Sequence, residues 1–124
     1  MIPLCLWHDM NDEKPPIPKA WRTKVGAILR ERKPQTVFIR QRARRDWASL
    51  TSCPFDSALC DVIADALENE ELIGKKHEMD EPGEAYGFIF QFQNLAIYAK
   101  VNLIASGEAV IVYSAHRPLK GHEL

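Results

Sequence analysis

The sequence predicts an α+β domain, an antiparallel β-sheet meander of about four to five strands packed against two or three helices. Three observations predict it. Two segments in the first half carry apolar residues at helical spacing, and the second half is a succession of alternating strands joined by short turns. A chain of 124 residues with 46% apolar content can bury one real core but not two. We therefore read residues 1–124 as a single domain, with residues 1–18 as an N-terminal lead-in segment and 19–124 as the folded body.

The lead-in contains "NDEKPPIPK", which is polar and Pro-rich and so reads as loop. "KAWRTKVGAILRER" places Trp21, Val25, Ile28 and Leu29 on one helical face, and Pro34 closes that helix. "QTVFIRQRAR" reads as a strand with Val37 and Ile39 to one side and Phe38, Arg40 and Arg42 to the other. "SLTSCPFDSALCDVIADALENEEL" holds the clearest helix, with Asp56 or Ser57 as N-cap. Its apolar stripe is Leu59, Val62, Ile63, Ala66 and Leu67, and its outer face is acidic, with Asp61, Asp65, Glu68 and Glu70. "ELIGKKHEM" reads as a strand and "DEPGE" as a turn. In "AYGFIFQFQ", Phe88, Phe90 and Phe92 oppose Ile89, Gln91 and Gln93, and Asn94 marks the next turn. "AIYAKVNLI" and "AVIVYSAH" complete the order α-β-α-β-β-β-β.

Net charge is −1, but residues 1–45 hold eleven Lys/Arg against four Asp/Glu, and residues 46–99 hold two Lys against eleven acids. A basic first half can track a polyanion. Equally, the two halves can fold together and neutralise each other, and charge alone does not choose. The apolar start "MIPLCLWHDM" lacks a basic n-region and a cleavage site, so we read it as part of the fold. No apolar run is long enough for a bilayer, and no membrane partner is expected. Cys5, Cys53 and Cys60 lack metal-ligand spacing and leave one unpaired, which implies reduced thiols and a cytoplasmic setting.

The last hairpin raises the functional question. Ile97, Ala99, Val101 and Leu103 share the face expected to meet the core, and Tyr98, Lys100 and Asn102 share the other. A two- or four-residue loop pairs Lys100 with Tyr113 and sends His116 to the core side. A three-residue loop, Ala105-Ser106-Gly107, pairs Lys100 with Val112 and Tyr98 with Ser114, and brings His116 to the Tyr98 face. Gly107 sits where such a loop needs a left-handed residue, so we take the second register. It also places Ile111, Ala115 and most of Tyr113 behind the sheet.

Tyr98, Lys100, Ser114, His116 and Arg117 then converge. No paired carboxylates adjoin them, no zinc-type cluster is present, and no Gly-rich phosphate loop occurs. A hydroxyl donor, an imidazole and cations suit RNA cleavage without a metal or other cofactor. The 2′-hydroxyl attacks its own phosphate, a base takes the proton, and cations hold the developing charge. An imidazole is the side chain suited to that base near neutral pH, and Tyr98 can donate a hydrogen bond or stack on a base. Each residue also has an ordinary reading, as the wet face of a hairpin, and "RQRARR" as a solvated basic stretch.

"IYAKVNLI", a short turn and "VIVYSAH" resemble the signature of small bacterial toxins of the MqsR and RelE type. Those toxins belong to the barnase, EndoU, colicin and RelE-like ribonucleases. Upstream, "FDSALCDVIADALENEEL", "IGKKHEMD" and "YGFIFQFQ" are similar in order to that group's capped helix, lysine-bearing strand and aromatic/Gln strand, so the resemblance spans roughly residues 36–117. It implies a RelE-like fold and a toxin of a toxin–antitoxin pair that cleaves mRNA. By resemblance, Tyr98 is the active-site tyrosine, Lys75 or Lys76 the strand lysine, and Gln91 or Gln93 the strand glutamine. His116 takes the closing basic position, where the MqsR type has lysine. Ala115 replaces the usual Phe, for which Tyr113 supplies aromatic bulk. Catalysis is thus assigned to His116, Tyr98 and Lys100. RNA contacts fall to Lys75, Lys76, Gln91, Gln93, Ser114, Arg117, Arg40, Arg42 and Arg44. The expected partners are RNA and a cognate antitoxin that covers Arg40, Arg42, Arg44 and Arg45, with homodimerisation left open. The acidic helix from Asp61 to Glu71 would repel RNA. The alternatives are a non-catalytic module that binds nucleic acid or protein, and an α+β domain with no site.

Overall fold

The computed structural model describes residues 16–119. The element order is α1 (Lys19–Glu31), β1 (Val37–Ile39), α2 (Gln41–Leu50), α3 (Asp56–Leu67), β2 (Lys75–His77), β3 (Gly83–Phe92), β4 (Leu95–Ile104) and β5 (Val110–His116). The strands form one sheet in the order β1-β5-β4-β3-β2. β2 to β5 are an antiparallel meander, and β1 joins the free side of β5 in parallel. The α+β architecture expected from the sequence is therefore present. Among the described residues no helix is long and apolar enough to cross a membrane.

One sheet face meets the helices. Phe88, Phe90, Ile97, Ala99, Val101, Val110, Val112 and Ala115 are buried there against Trp21, Val25 and Leu29 of α1 and Leu59 and Ile63 of α3. The predicted α1 stripe faces inward, and of the α3 stripe Leu59, Ile63 and Leu67 are buried while Val62 and Ala66 are half-buried, with Cys60 and Ala64 buried beside them. Arg22 is buried too, which its charge did not announce. Its guanidinium donates to the carbonyls of Ile17 at 3.1 Å and Leu67 at 2.9 Å, and so ties the start of α1 to the end of α3.

Two expectations are corrected. The strand read through Arg42 stops at Ile39, and residues 41–50 form α2. Only Ala43 and Trp47 of that helix are buried, so its apolar stripe is too thin to stand out against the arginines. The Trp47 ring nonetheless anchors it, 5.3 Å from Phe92, with Nε1 donating to the Cys53 carbonyl at 2.7 Å. At α3 the N-cap is Phe55, without a side-chain cap. Asp56 is the first helical residue, and its carboxylate accepts two hydrogen bonds from Arg44 at 2.8 and 2.9 Å.

The charge asymmetry is spent in part within the fold. Arg30 of α1 binds Asp65 at 2.6 Å and Glu68 at 2.9 Å on α3, and Arg32 binds Asp61 at 2.6 Å. The acidic face of α3 is therefore the counterpart of α1's last turn. These pairs are exposed and individually weak, but they orient the two helices.

Cys53 and Cys60 are free thiols. Burial, with the charge of Asp56 behind it, pushes the Cys60 thiol up to about 11. At about pH 8, where thiolate is the reactive form, a disulfide reagent applied to a Cys5→Ser background should label Cys53. Cys60 should label only on unfolding, as read by mass spectrometry. Equal labelling rates would contradict the burial.

Candidate functional site

The site face is built by a correction in β5. The β4–β5 turn has four residues, 105–108, not three: Ile104 N–H donates to Ala109 at 2.9 Å, and Leu103 opposes Val110. Gly107 is left-handed, at φ 77°, as expected. That loop alone would carry His116 to the core side. The register shifts between Lys100 and Val101, however: Val101 opposes Val112 while Lys100 opposes Ser114. Tyr113 is the extra residue of a β-bulge. Beyond it, Tyr98 opposes His116. Tyr98, Lys100, Ser114 and His116 thus share one face as expected, through a different pairing. Below the bulge the faces exchange. Val112 enters the core, Ile111 opposes Asn102 on the site face, and Tyr113 lies on that face rather than behind the sheet.

Tyr98 is the centre. The His116 ring stacks on it, with centroids 5.5 Å apart and planes at 29°. On its other side its hydroxyl lies 3.4 Å from His77 Nε2 of β2. Gly87 makes this reach across β3 possible. A Cβ there would stand 2.3 Å from the Tyr98 oxygen and 3.0 Å from His77 Nε2. Tyr98 is 2% exposed, and burial holds its phenol above the ordinary value of 10, so it stays neutral. His116 Nδ1 lies 2.7 Å from the Arg117 carbonyl. A carbonyl only accepts, so Nδ1 carries the proton and the neutral ring keeps its basic lone pair on Nε2.

Lys75, Gly87, Lys100 and Ser114 form the adjacent row across β2 to β5. Two ammonium groups therefore stand on the face that bears the His116–Tyr98–His77 line. Among the described residues, no carboxylate forms an ion pair with either lysine.

The remaining expected residues divide. Arg117 and Arg42 lie on a cleft beside His116. Arg40 is on the site side but engaged, paired with Glu81 at 2.5 Å and placed 5.5 Å over the Tyr113 ring. Arg44 is taken by Asp56 on α3. Lys76 opposes Tyr86, and alternation points it to the other face. Gln91 shares the face but opposes Ala96, farther toward the β3–β4 turn, and it lines a groove against α3. Gln93 is not in a strand: it and Asn94 form that two-residue turn, at φ 50° and 65°.

Sequence reading missed His77, Gly87, Glu81 and Asn102. His77 was legible, since it lies two residues from Lys75 on the same face of a short strand. Gly87, isolated inside "AYGFIF", is the usual mark of close approach. Glu81 gave no signal, because it acts from a loop. Its carboxylate accepts from Tyr113 at 2.6 Å. That bond, aided by Arg40, holds the Glu81 carboxyl below its ordinary range. Asn102, fully buried, donates to the Glu81 carbonyl at 3.2 Å and to Tyr113 at 3.3 Å. Together they clip residues 78–82 over the sheet. Among the described residues, no three His, Cys, Asp or Glu side chains are grouped as metal ligands would be.

No protein-family model, curated protein or solved structure matches the chain significantly.

Two outcomes test this geometry. Gly87→Ala should displace Tyr98 and lower stability by about 1–3 kcal/mol in urea unfolding; an unchanged midpoint would contradict the close approach. The Glu81 contribution is present above the ordinary carboxyl value of 4.5 and lost as pH falls through its depressed native value. Tyr113→Phe should raise the Glu81 titration toward 4.5, as followed by carboxyl NMR shifts, and loosen residues 78–82 at a higher pH. An unmoved titration would remove the Tyr113 bond as the cause.

Proposed function

We propose that this protein is an endoribonuclease that cuts RNA by 2′-hydroxyl attack on the neighbouring phosphodiester. The observation that carries this reading is the line His116–Tyr98–His77, two imidazoles on either side of a buried phenol, with Lys75 and Lys100 on the next row. In the reaction, His116 Nε2 takes the 2′-hydroxyl proton as the 2′-oxygen bonds to phosphorus. The 5′-oxygen leaves with a proton from the His77–Tyr98 side. The products are a 2′,3′-cyclic phosphate and a 5′-hydroxyl end, so protons balance. Lys75 and Lys100 stabilise the extra negative charge on the five-coordinate phosphorus, and the chemistry asks for no cofactor.

The resemblance to MqsR- and RelE-type toxins extends the proposal to a toxin paired with an antitoxin. Of the surface first expected for such a partner, Arg40 and Arg44 are already paired within the chain, while Arg42 and Arg45 are exposed. An acidic partner would meet Arg42 and Arg45 together with Lys75, Lys100 and Arg117. One observation favours a second reading, a non-catalytic docking module: Tyr98 is only 2% exposed, so its ring walls the surface more than it contacts a ligand.

The purified chain should cleave single-stranded RNA at about pH 7 in EDTA and leave cyclic-phosphate ends. His116→Ala and His77→Ala should each lower the rate by about 10²–10⁴-fold, with melting temperatures near wild type. Induced expression should arrest growth, and His116→Ala should relieve it. Salt-dependent RNA binding without cleavage would replace this reading with the docking module.

A further inference from the structure

Apart from His116 itself, the cleft beside it has a lining that the cleavage reaction does not use. It measures about 310 Å³ and lies between α2 and the chain leaving β5, within the roughly 300–1,000 Å³ of small-ligand pockets. One wall is Arg42, Asp46 and Leu50, spaced i, i+4 and i+8 on α2. The opposite wall is His116, Arg117 and Leu119. α2 can offer this wall because its other face, Ala43 and Trp47, is in the core. The His116 ring is shared, with Tyr98 stacked on it and the cleft alongside.

The charges in the cleft are not spent on each other. Arg42 and Asp46 stand at the spacing where helix ion pairs form, yet among the described residues neither makes one. Asp46 is half-buried. Ser49 lines the cleft as well, and its hydroxyl donates to the Asp46 backbone carbonyl at 2.9 Å, not to the carboxylate. Arg40 and Arg44 on the same segment are both paired. Arg42 is thus set apart from them by its lack of a carboxylate.

We propose that this cleft is a nucleobase subsite selective for guanine. The inference rests on the cleavage reading for its place next to the scissile phosphate, and on the cleft's own chemistry for its selectivity. Guanine offers two adjacent N–H donors, N1 and N2, to one carboxylate, and two acceptors, O6 and N7, to a guanidinium. Asp46 and Arg42 supply that complement. Leu50 and Leu119 supply apolar contact for the ring faces. Adenine would turn a lone pair at N1 toward the Asp46 carboxylate, an acceptor against an acceptor. Cytosine and uracil lack the N7 and O6 pair.

The test is calorimetric titration of the full chain, in EDTA, with the 3′-monophosphates of guanosine, adenosine, cytidine and uridine. Guanosine monophosphate should bind about ten-fold or more tightly than the others. Asp46→Asn should cut that preference to about two-fold while the melting temperature holds. Arg42→Gln, at an exposed position, should weaken guanosine monophosphate selectively and stands in if Asp46→Asn does not fold. Equal affinity for the four nucleotides, or a guanine preference that survives both substitutions, overturns the subsite. Binding selectivity is read separately from cleavage. A guanine preference in a chain that cuts no RNA upholds the subsite and removes the catalytic reading. Cleavage by a chain that binds all four alike does the reverse.

Discussion

The bulge at Tyr113 is the constraint on which the site depends. A strand alternates its faces strictly, so one inserted residue exchanges every side chain beyond it. The four-residue turn sets Val110 and Val112 into the core. Continued unchanged, that register would bury His116 and expose Ala115. The extra residue resets the alternation, so that Ala115 stays in the core and His116 reaches Tyr98. Tyr113 is used in turn, because its hydroxyl binds Glu81 and clips residues 78–82 to the sheet. One irregularity thus serves the core on one side and the site on the other.

Charge is arranged by the same economy. Arg30, Arg32, Arg40 and Arg44 are drawn to carboxylates of the second half. The two signs, separated along the sequence, are thereby brought together in part. Among the described residues left without an ion pair are two lysines on one row of the sheet, and Arg42 and Arg117 beside His116.

The chemistry follows from neighbours rather than from any unusual residue. Burial keeps Tyr98 protonated, the Arg117 carbonyl fixes the tautomer of His116, and the absence of a side chain at Gly87 lets Tyr98 and His77 meet. Each is a small constraint on an ordinary side chain. Together they set a phenol, two imidazoles and two ammonium groups on one face of a four-strand meander, and rigid elements hold such groups more precisely than loops do.

The sequence by itself determined the class of fold. Periodicity fixes which face of α1, α3, β3 and β4 is apolar, and the hydrophobic effect then buries those faces. Alternation likewise put Tyr98 and Lys100 together. It was blind where a contact is made between elements distant in the chain. α2 hid because two buried residues, Ala43 and Trp47, hold it against the core, and neither makes a stripe. Glu81, Asn102 and the pairing of the arginines appear only when loops and helices are brought side by side. The register of β5 belongs there too. Loop length and bulge each shift the pairing by one residue, the sum of two returns His116 to the Tyr98 face, and only the packing of Val112 and Ala115 into one core decides that both occur.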